Sequence, residues 1–491
     1  MASIKDLPTE LVLHIQKQLQ PHELTALARA NKPLHSLTTE LLYKSPEVDY
    51  GRLFPFLRAI SHNSAAATTV KNLSLTDYRL EMVWNPFVYP KPRARPIVEP
   101  NLSNEDKNTL ETAWKLLEIQ PVTPSRKVDV VEMIDILQAA ILLHTRNVSK
   151  ISVYAACQMY DSSPRWVQIM APGSDGYCGG RTHDFSSLKH IRVECGGARP
   201  HAFIPLLTIP SLEHLELVWF EDGCSLEALE FLVIDRPSSI KTLVLSAQGL
   251  PASDLKGGCD FTVGLISCCK ALEYFSFYRS FTYCRGPLAV HDEDELWSGF
   301  PLCGLDGEDI FDEYEKLTNA LLNRRDTLQH LELFDQFMGW DPKVVAKDRT
   351  APLESVGISH FGSLKGLTNL RVLQCSLLGL TIPRVDCHLA AVCKLPSSLQ
   401  ELWIDPAWPM FFGEAALFLE RIPIDKKEKF SWLRLVMVYE PGPPYSAPKH
   451  FEKNMERLKK PYNDAGIELS YWWDRKQKGK AIGKGIEGVF L

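Results

Sequence analysis

Apolar residues fall in two rhythms along this chain. Near the start, Leu11, Val12, Ile15 and Leu19 recur every three or four residues, the spacing of one helix face. Pro8 suits the first turn of that helix, because the N–H groups there have no intrahelical partner to lose. Pro21 closes it and opens a second helix with Leu24, Leu27 and Ala28 in register. Asn31-Lys32-Pro33 interrupts again, and a third helix carries Leu34, Leu37, Leu41 and Leu42. Three short helices thus fit into about forty residues.

The second rhythm is a short phrase: apolar, two variable, apolar, one variable, apolar. It begins at Val70, Val148, Leu188, Leu212, Ile240, Leu272, Leu328, Leu370, Leu399 and Trp432. The steps from Leu188 to Leu272 are 24, 28 and 32 residues. The next is 56, long enough for two units or for one unit with an insertion. Helical patterns precede several phrases: VDVVEMIDILQAAILLHT before Val148, and EDIFDEYEKLTNALLNRRD before Leu328. Helix followed by alternating strand, many times over, predicts an α/β fold: a parallel β-sheet with flanking helices. A doubly wound sheet is the alternative, but the fixed phrase favours stacked units.

In such a strand the third, fifth and seventh residues of the phrase face outward. The third-position ladder reads His190, His214, Thr242, Tyr274, His330, Val372, Glu401, Arg434. The fifth reads Arg192, Glu216, Val244, Ser276, Glu332, Gln374, Trp403, Val436. Tyr274, Tyr278, His330, Phe334 and Trp403 are the candidate target-binding residues, since exposed aromatics anchor interfaces. Loops folding over them, or a slip of one residue in register, would instead make them core.

The opening helices raise a question of energy. A fully buried leucine contributes roughly 1.5–3 kcal/mol, and ordering each residue costs roughly 1–2 kcal/mol. So small a bundle is marginal alone. A partner's surface would complete it, or it caps the domain behind it. LPTELVLHIQKQLQPHELTALARANKPLHSLTTELLYKSPEVDY, from Leu7, resembles an F-box of the fungal type. The resemblance lies in the Leu-Pro start, the acidic residue two positions on, the Ile-x-x-x-Leu end of the first helix, the P-x-x-L opening of the second and the closing LLYKSPEV. Leu34 stands where the family has an aromatic residue. The resemblance implies a binding role: docking onto a Skp-family adaptor and, through it, a cullin scaffold. Carried over residue by residue, Leu7, Pro8, Leu11, Ile15, Leu19, Leu24 and Leu27 match the adaptor-facing or supporting positions, some of which pack the internal seam instead.

Residues 65–475 resemble an irregular leucine-rich-repeat solenoid. The Asn or Cys that caps each turn in the regular family is replaced by Gly196, Phe220, Gln248, Ser280, Gln336, Leu378, Ala407 and Glu440, which implies non-uniform turns. The expected layout is residues 1–50 as the F-box, 65–475 as the solenoid and 476–491 as a basic, Gly-rich tail. Insertions are expected near 84–126, which is Pro-rich but contains the helical NTLETAWKLLEI, and near 284–315. Residues 286–315 hold ten carboxylates and no Lys or Arg, the mark of a solvated loop.

Composition narrows the function classes. With 491 residues, 45% hydrophobic and 23% charged, this is an ordinary globular composition. A net charge of -6 gives no global basic excess to draw nucleic acid. No apolar run approaches the ~18 residues of a spanning helix, so no membrane partner is expected. Lys5, Asp6 and Glu10 at the start do not fit a secretory signal, which leaves the sequons at Asn72, Asn101 and Asn147 unmodified. The twelve cysteines form no C-x-x-C and read as reduced, buried hydrophobes in a cytoplasmic or nuclear protein.

Candidate chemistry is sparse. Gly483-x-Gly485-x-x-Gly488 lacks the strand and helix that a dinucleotide site needs. No P-loop, G-x-S-x-G or HExxH occurs. Cys387 and His388 are adjacent, so in an extended segment their side chains diverge. No catalytic residue, cofactor or metal site is expected. The expectation is a substrate-recognition subunit of an SCF-type E3 ubiquitin ligase with an unidentified protein target. The alternatives are an F-box scaffold outside ubiquitination, a plain repeat binder, or an α/β enzyme with a site no motif marks.

Overall fold

A computed structural model describes residues 8–16, 18–19, 21–30, 32–75, 102–117, 130–155, 163–170, 185–195, 200–221, 238–249, 260–282, 307–338, 362–376, 380, 392–405, 412–438 and 449–471. The chain divides into two compact units, Met1–Phe220 and Glu221–Leu491.

The first unit opens with α1 (Thr9–Gln16), α2 (Pro21–Ala30) and α3 (Lys32–Lys44), the three short helices that the leucine spacing predicts. Pro33 sits in the first turn of α3, where its missing N–H costs nothing. Then come α4 (Leu53–His62), α5 (Ser64–Thr69), β1 (Asn72–Leu75), α6 (Asn104–Leu116), α7 (Val130–His144), β2 (Lys150–Tyr154), α8 (Arg165–Met170), β3 (His190–Glu194) and β4 (His214–Glu221). The second unit holds β5 (Thr242–Gly249), α9 (Asp260–Cys268), β6 (Tyr274–Thr282), α10 (Gly307–Leu322), β7 (His330–Met338), β8 (Val372–Ser376), β9 (Glu401–Asp405), α11 (Phe412–Lys429), β10 (Leu435–Val438), α12 (Lys449–Asp464) and β11 (Glu468–Tyr471).

This is an α/β fold of parallel strands with flanking helices. In the first unit β1, β2, β3 and β4 lie side by side in chain order. In the second, β5 to β11 do the same. The order reverses within neither unit, so neither contains the switch point of a doubly wound sheet. Tyr274 pairs directly with His330, so the 56-residue step is one unit with an insertion, not two.

The repeated phrase explains the core. Its leading residues Val70, Val148, Leu188, Leu212, Ile240, Leu272, Leu328, Leu370 and Leu399 are all buried, as are the two inward residues of the strands that follow, such as Leu331 with Leu333 and Leu402 with Ile404. Every unit thus adds three apolar side chains to its neighbours' three. Cys375 takes one of these inward places, and burial raises its thiol pKa. It behaves as the small hydrophobe expected of it.

The last phrase begins one residue later than the spacing predicts. Trp432 is 69% exposed, whereas Leu433 is buried in the leading place. Leu435 pairs with Glu401 and Met437 with Trp403, so these two, not Arg434 and Val436, continue the outward ladders. Val436 faces the core. A large aromatic beside a leucine imitates the leading apolar residue, and period two then shifts the whole strand by one face.

Helices complete the layers. α7 is apolar nearly all round and buried, as befits a helix covered on every side. Arg165 ties α8 to it, its Nη2 donating to Glu132 (3.1 Å) and its Nη1 to Asp135 (3.2 Å). The Asp135 carboxylate also accepts from the Arg165 backbone N–H at 2.9 Å. α6 lies within the Pro-rich insertion, capped by Ser103 and held to α4 by Arg58 and Asp106 at 2.7 Å. Most of the acidic insertion, the rest of the Pro-rich one and the basic tail lie outside the described residues. Among the described residues, no helix is long and apolar enough to cross a membrane.

Candidate functional site

Two surfaces deserve the name of site, and the first is the outer face of α1. Its inner side is settled by packing. Val12 is 5% exposed and Gln16 is buried, facing Leu34 and Thr38 of α3, which are buried too. Gln16 Nε2 donates to Thr38 Oγ1 at 2.9 Å, and Thr38 Oγ1 donates to the Leu34 carbonyl at 2.6 Å. The other side is left open: Leu11 is 51% exposed and Ile15 is 39% exposed. These two, four residues apart, stand one turn above the other. Pro8 is exposed beside them, and Leu19 and Leu27 are half-buried. Leu24 is 7% exposed, so it belongs to the internal seam. Leu7 lies outside the described residues.

The same helices also serve the fold behind them. Tyr43 stacks on Phe56 of α4, ring centroids 6.2 Å apart. After α3 the chain runs along the edge of β1: Val48 N–H donates to the Ser74 carbonyl (2.8 Å), and Ser74 N–H to Pro46 (3.1 Å). The bundle therefore caps an edge strand through α3 and its exit, while α1 keeps an apolar face uncovered.

The second surface is the outward face of the strands. In the first unit the first outward row is Lys150 and His190, both exposed, and His214, half-buried, adjacent by register. The two imidazoles lie 5.2 Å apart. Burial foremost, then His190 and Lys150, push His214 down to about 4. Burial and Lys150 lower His190 as well. Arg192 below them bridges to Glu216 (2.8 Å) and Glu194 (3.4 Å), which leaves its charge satisfied.

The outward face of the second unit's strands is aromatic. Tyr274 and His330 lie ring to ring at 4.5 Å. His330 Nε2 and Glu332 Oε1 are 3.0 Å apart. Burial pushes the Glu332 pKa up, but hydrogen bonds from His330, Tyr274 and Ser276 outweigh it and hold the pKa below the usual value. Glu332 is therefore a fixed negative charge. Further along, Tyr278 and Trp403 pack, half-buried, against Phe334 and Met437. Phe334 is 7% exposed and Met437 1%, so these two form the floor and not the rim. Tyr274, Tyr278, His330 and Trp403 remain half-buried and partly open.

Sequence reasoning placed these aromatics but missed their partners. The Tyr274–His330–Glu332 arrangement follows from third and fifth positions of neighbouring phrases, which the ladders already juxtapose. The Gln16–Thr38 pair carries a fainter signal: two polar residues in the apolar register of their helices. Among the described residues, no three His, Cys, Asp or Glu side chains converge as metal ligands would. No protein-family model matches the chain, and no curated protein matches it.

Proposed function

We propose that this chain is a substrate-recognition subunit of an SCF-type E3 ubiquitin ligase. Its first fifty residues act as an F-box that binds a Skp-family adaptor, which leads to a cullin scaffold. The strand-bearing remainder, read as an irregular leucine-rich-repeat solenoid, binds a protein target. The chain does no bond chemistry in this reading. It raises the effective concentration of a target lysine near the ubiquitin-bearing enzyme. Its workplace is the cytoplasm or nucleus, where such adaptors act.

The observation that carries this reading is the uncovered pair Leu11 and Ile15, set opposite a sealed seam of Val12, Gln16 and Leu24. Leu11 is 51% and Ile15 39% exposed, so covering what remains open on a partner is worth about half of full burial for each, about 1.5–3 kcal/mol together, before the cost of association. A monomer gains nothing from keeping both in water on one face.

A second reading is an F-box scaffold that assembles the same adaptor without marking a target. It shares the α1 face and differs in outcome: target abundance stays unchanged when the chain is removed from cells. An α/β enzyme is the third reading, and it has no convergent catalytic constellation on the described faces to favour it. Capture of the intact chain from cell extract, against Leu11→Asp/Ile15→Asp, tests the first. Recovery of a Skp adaptor and cullin by the intact chain alone supports the ligase reading. Equal recovery by both, or by neither, contradicts it.

A further inference from the structure

We infer that the leading ends of β1 to β3, with the exit of α3 beside them, take an acidic segment of the target, its carboxylates lying along Lys44, Lys71 and Lys150. The inference rests on the reading that the strand-bearing part binds a protein target, and it names that target's chemistry.

Backbone hydrogen bonds set the neighbours. Just ahead of the strands, Lys71 N–H donates to the Lys44 carbonyl (2.9 Å), Ser149 N–H to Lys71 (2.7 Å), Lys189 N–H to Ser149 (2.9 Å) and Glu213 N–H to Lys189 (3.0 Å). One place further on, Asn72 Nδ2 donates to Ser45 Oγ at 3.0 Å, and Asn72, Lys150, His190 and His214 follow in register. These two rows hold four lysines and one carboxylate. Glu213 is spent on Lys189, at 3.2 Å. Lys44, Lys71 and Lys150 are exposed, and none forms an ion pair among the described residues. Burial foremost, with Lys150 adding to it, lowers both imidazoles, so near pH 7 they offer N–H donors without charge. Three ammonium charges are thus left unpaired at this edge. The next carboxylates along these strands are Glu216 and Glu194, both turned to Arg192 at 2.8 and 3.4 Å, with side chains only 13% and 6% exposed. Lys150 acts on Glu216 through space but makes no ion pair with it. Glu47 is exposed on the outer side of β1, bridged to Ser74 and two residues further along than the Ser45–Asn72 contact.

The ligand class follows from these groups. Unpaired ammonium groups beside amide and imidazole donors match a segment rich in acceptors and negative charge. A basic or purely apolar segment finds no such match. The two rows carry no Phe, Tyr or Trp on which nucleobases would stack. Lys44 and Lys150 lie two strand intervals apart, or roughly 10 Å at ~4.8 Å each. An extended peptide advances ~3.4 Å per residue, so about three residues span the lysines. The chain as a whole carries a net charge of -6, so bulk attraction works against an acidic ligand and binding reports the local surplus.

The test uses the intact chain and a labelled Gly/Ser peptide with three consecutive aspartates at its centre. A second peptide replaces them by asparagines, which keeps shape and removes charge. Binding is read by fluorescence anisotropy, with folding checked by thermal melting. The aspartate peptide is expected to bind, and the asparagine peptide to bind about tenfold more weakly or worse, the scale of two or three exposed ion pairs. Lys71→Gln/Lys150→Gln, at two exposed positions, should weaken the aspartate peptide by a similar factor with the melting curve kept. Lys270→Gln, an exposed lysine of the second unit, should not. Equal binding of the two peptides overturns the inference. So does no binding at all, or a loss with Lys270→Gln as large as with the double variant. A single-stranded oligonucleotide is the third probe: if it binds more tightly than the aspartate peptide and the double variant releases it, the surface is a nucleic-acid site and the inference falls. Adaptor capture with the same preparations is read separately: intact capture without aspartate preference removes this inference alone.

Discussion

Gln16 shows how a single side chain divides α1 into two faces. It is buried, its amide nitrogen is satisfied by Thr38, and its Oε1 has no hydrogen-bond partner. Leaving a buried polar group unpaired costs roughly 1–3 kcal/mol, whereas replacing both partners by apolar groups is close to neutral. Thr38→Val alone is therefore expected to lower stability by about 1–3 kcal/mol. Adding Gln16→Leu should recover most of that loss in a denaturant titration. His214 gives a second prediction at this scale. Its folded value, about 4, lies below the ordinary 6.5, so the unfolded chain binds more protons between those values. Stability then falls as pH drops from 6.5 toward 4, and His214→Asn should flatten that slope in melts across the range. Gln16 and Thr38 are not legible as a pair in the sequence, because hydrogen bonds between distant residues leave no periodic trace, whereas His190 and His214 stand side by side in the third-position ladder. Trp432 misleads for the opposite reason: its hydrophobicity carries the pattern, though its side chain is largely exposed.

At the scale of elements, periodicity did most of the work. The three opening helices, the helix before Val148 and the strand phrases were all legible, since spacing of three to four or of two fixes which face is buried. What periodicity lacks is distance between phrases, so the 56-residue step is ambiguous in the sequence, and the pairing of β6 with β7 resolves it. Helix ends depend on local stereochemistry instead. α12 stops where Gly466 turns left-handed at φ 69°, with Ile467 N–H donating to the Tyr462 carbonyl at 2.9 Å. Tyr462 in turn donates its hydroxyl to the Leu419 carbonyl of α11 at 2.9 Å. Gly466→Ala forces a side chain into that conformation, with open space around it. The expected cost is about 1–2 kcal/mol from the backbone alone, measurable by chemical denaturation.

At the scale of the whole chain, labour is divided within the first unit. The exit of α3 pairs with β1 and hides a sheet edge, and unprotected edges invite pairing with another chain. Deleting residues 1–50 should therefore cause self-association in light scattering, while deleting 1–43, which keeps the Pro46–Val48 pairing, should not. The candidate target face was legible as ladders, but not as a half-covered surface. Whether Phe334 lies under neighbours depends on packing that no single strand encodes. The docking face of α1 is the claim on which the function stands. Its most direct measurement is affinity capture of the intact chain beside Leu11→Asp/Ile15→Asp, with melting curves of both. The account predicts loss of the Skp adaptor and cullin with the melting temperature little changed, because both side chains are already partly exposed. Retention of the adaptor by the variant, or a variant that melts early because those side chains were supporting the fold, would contradict it.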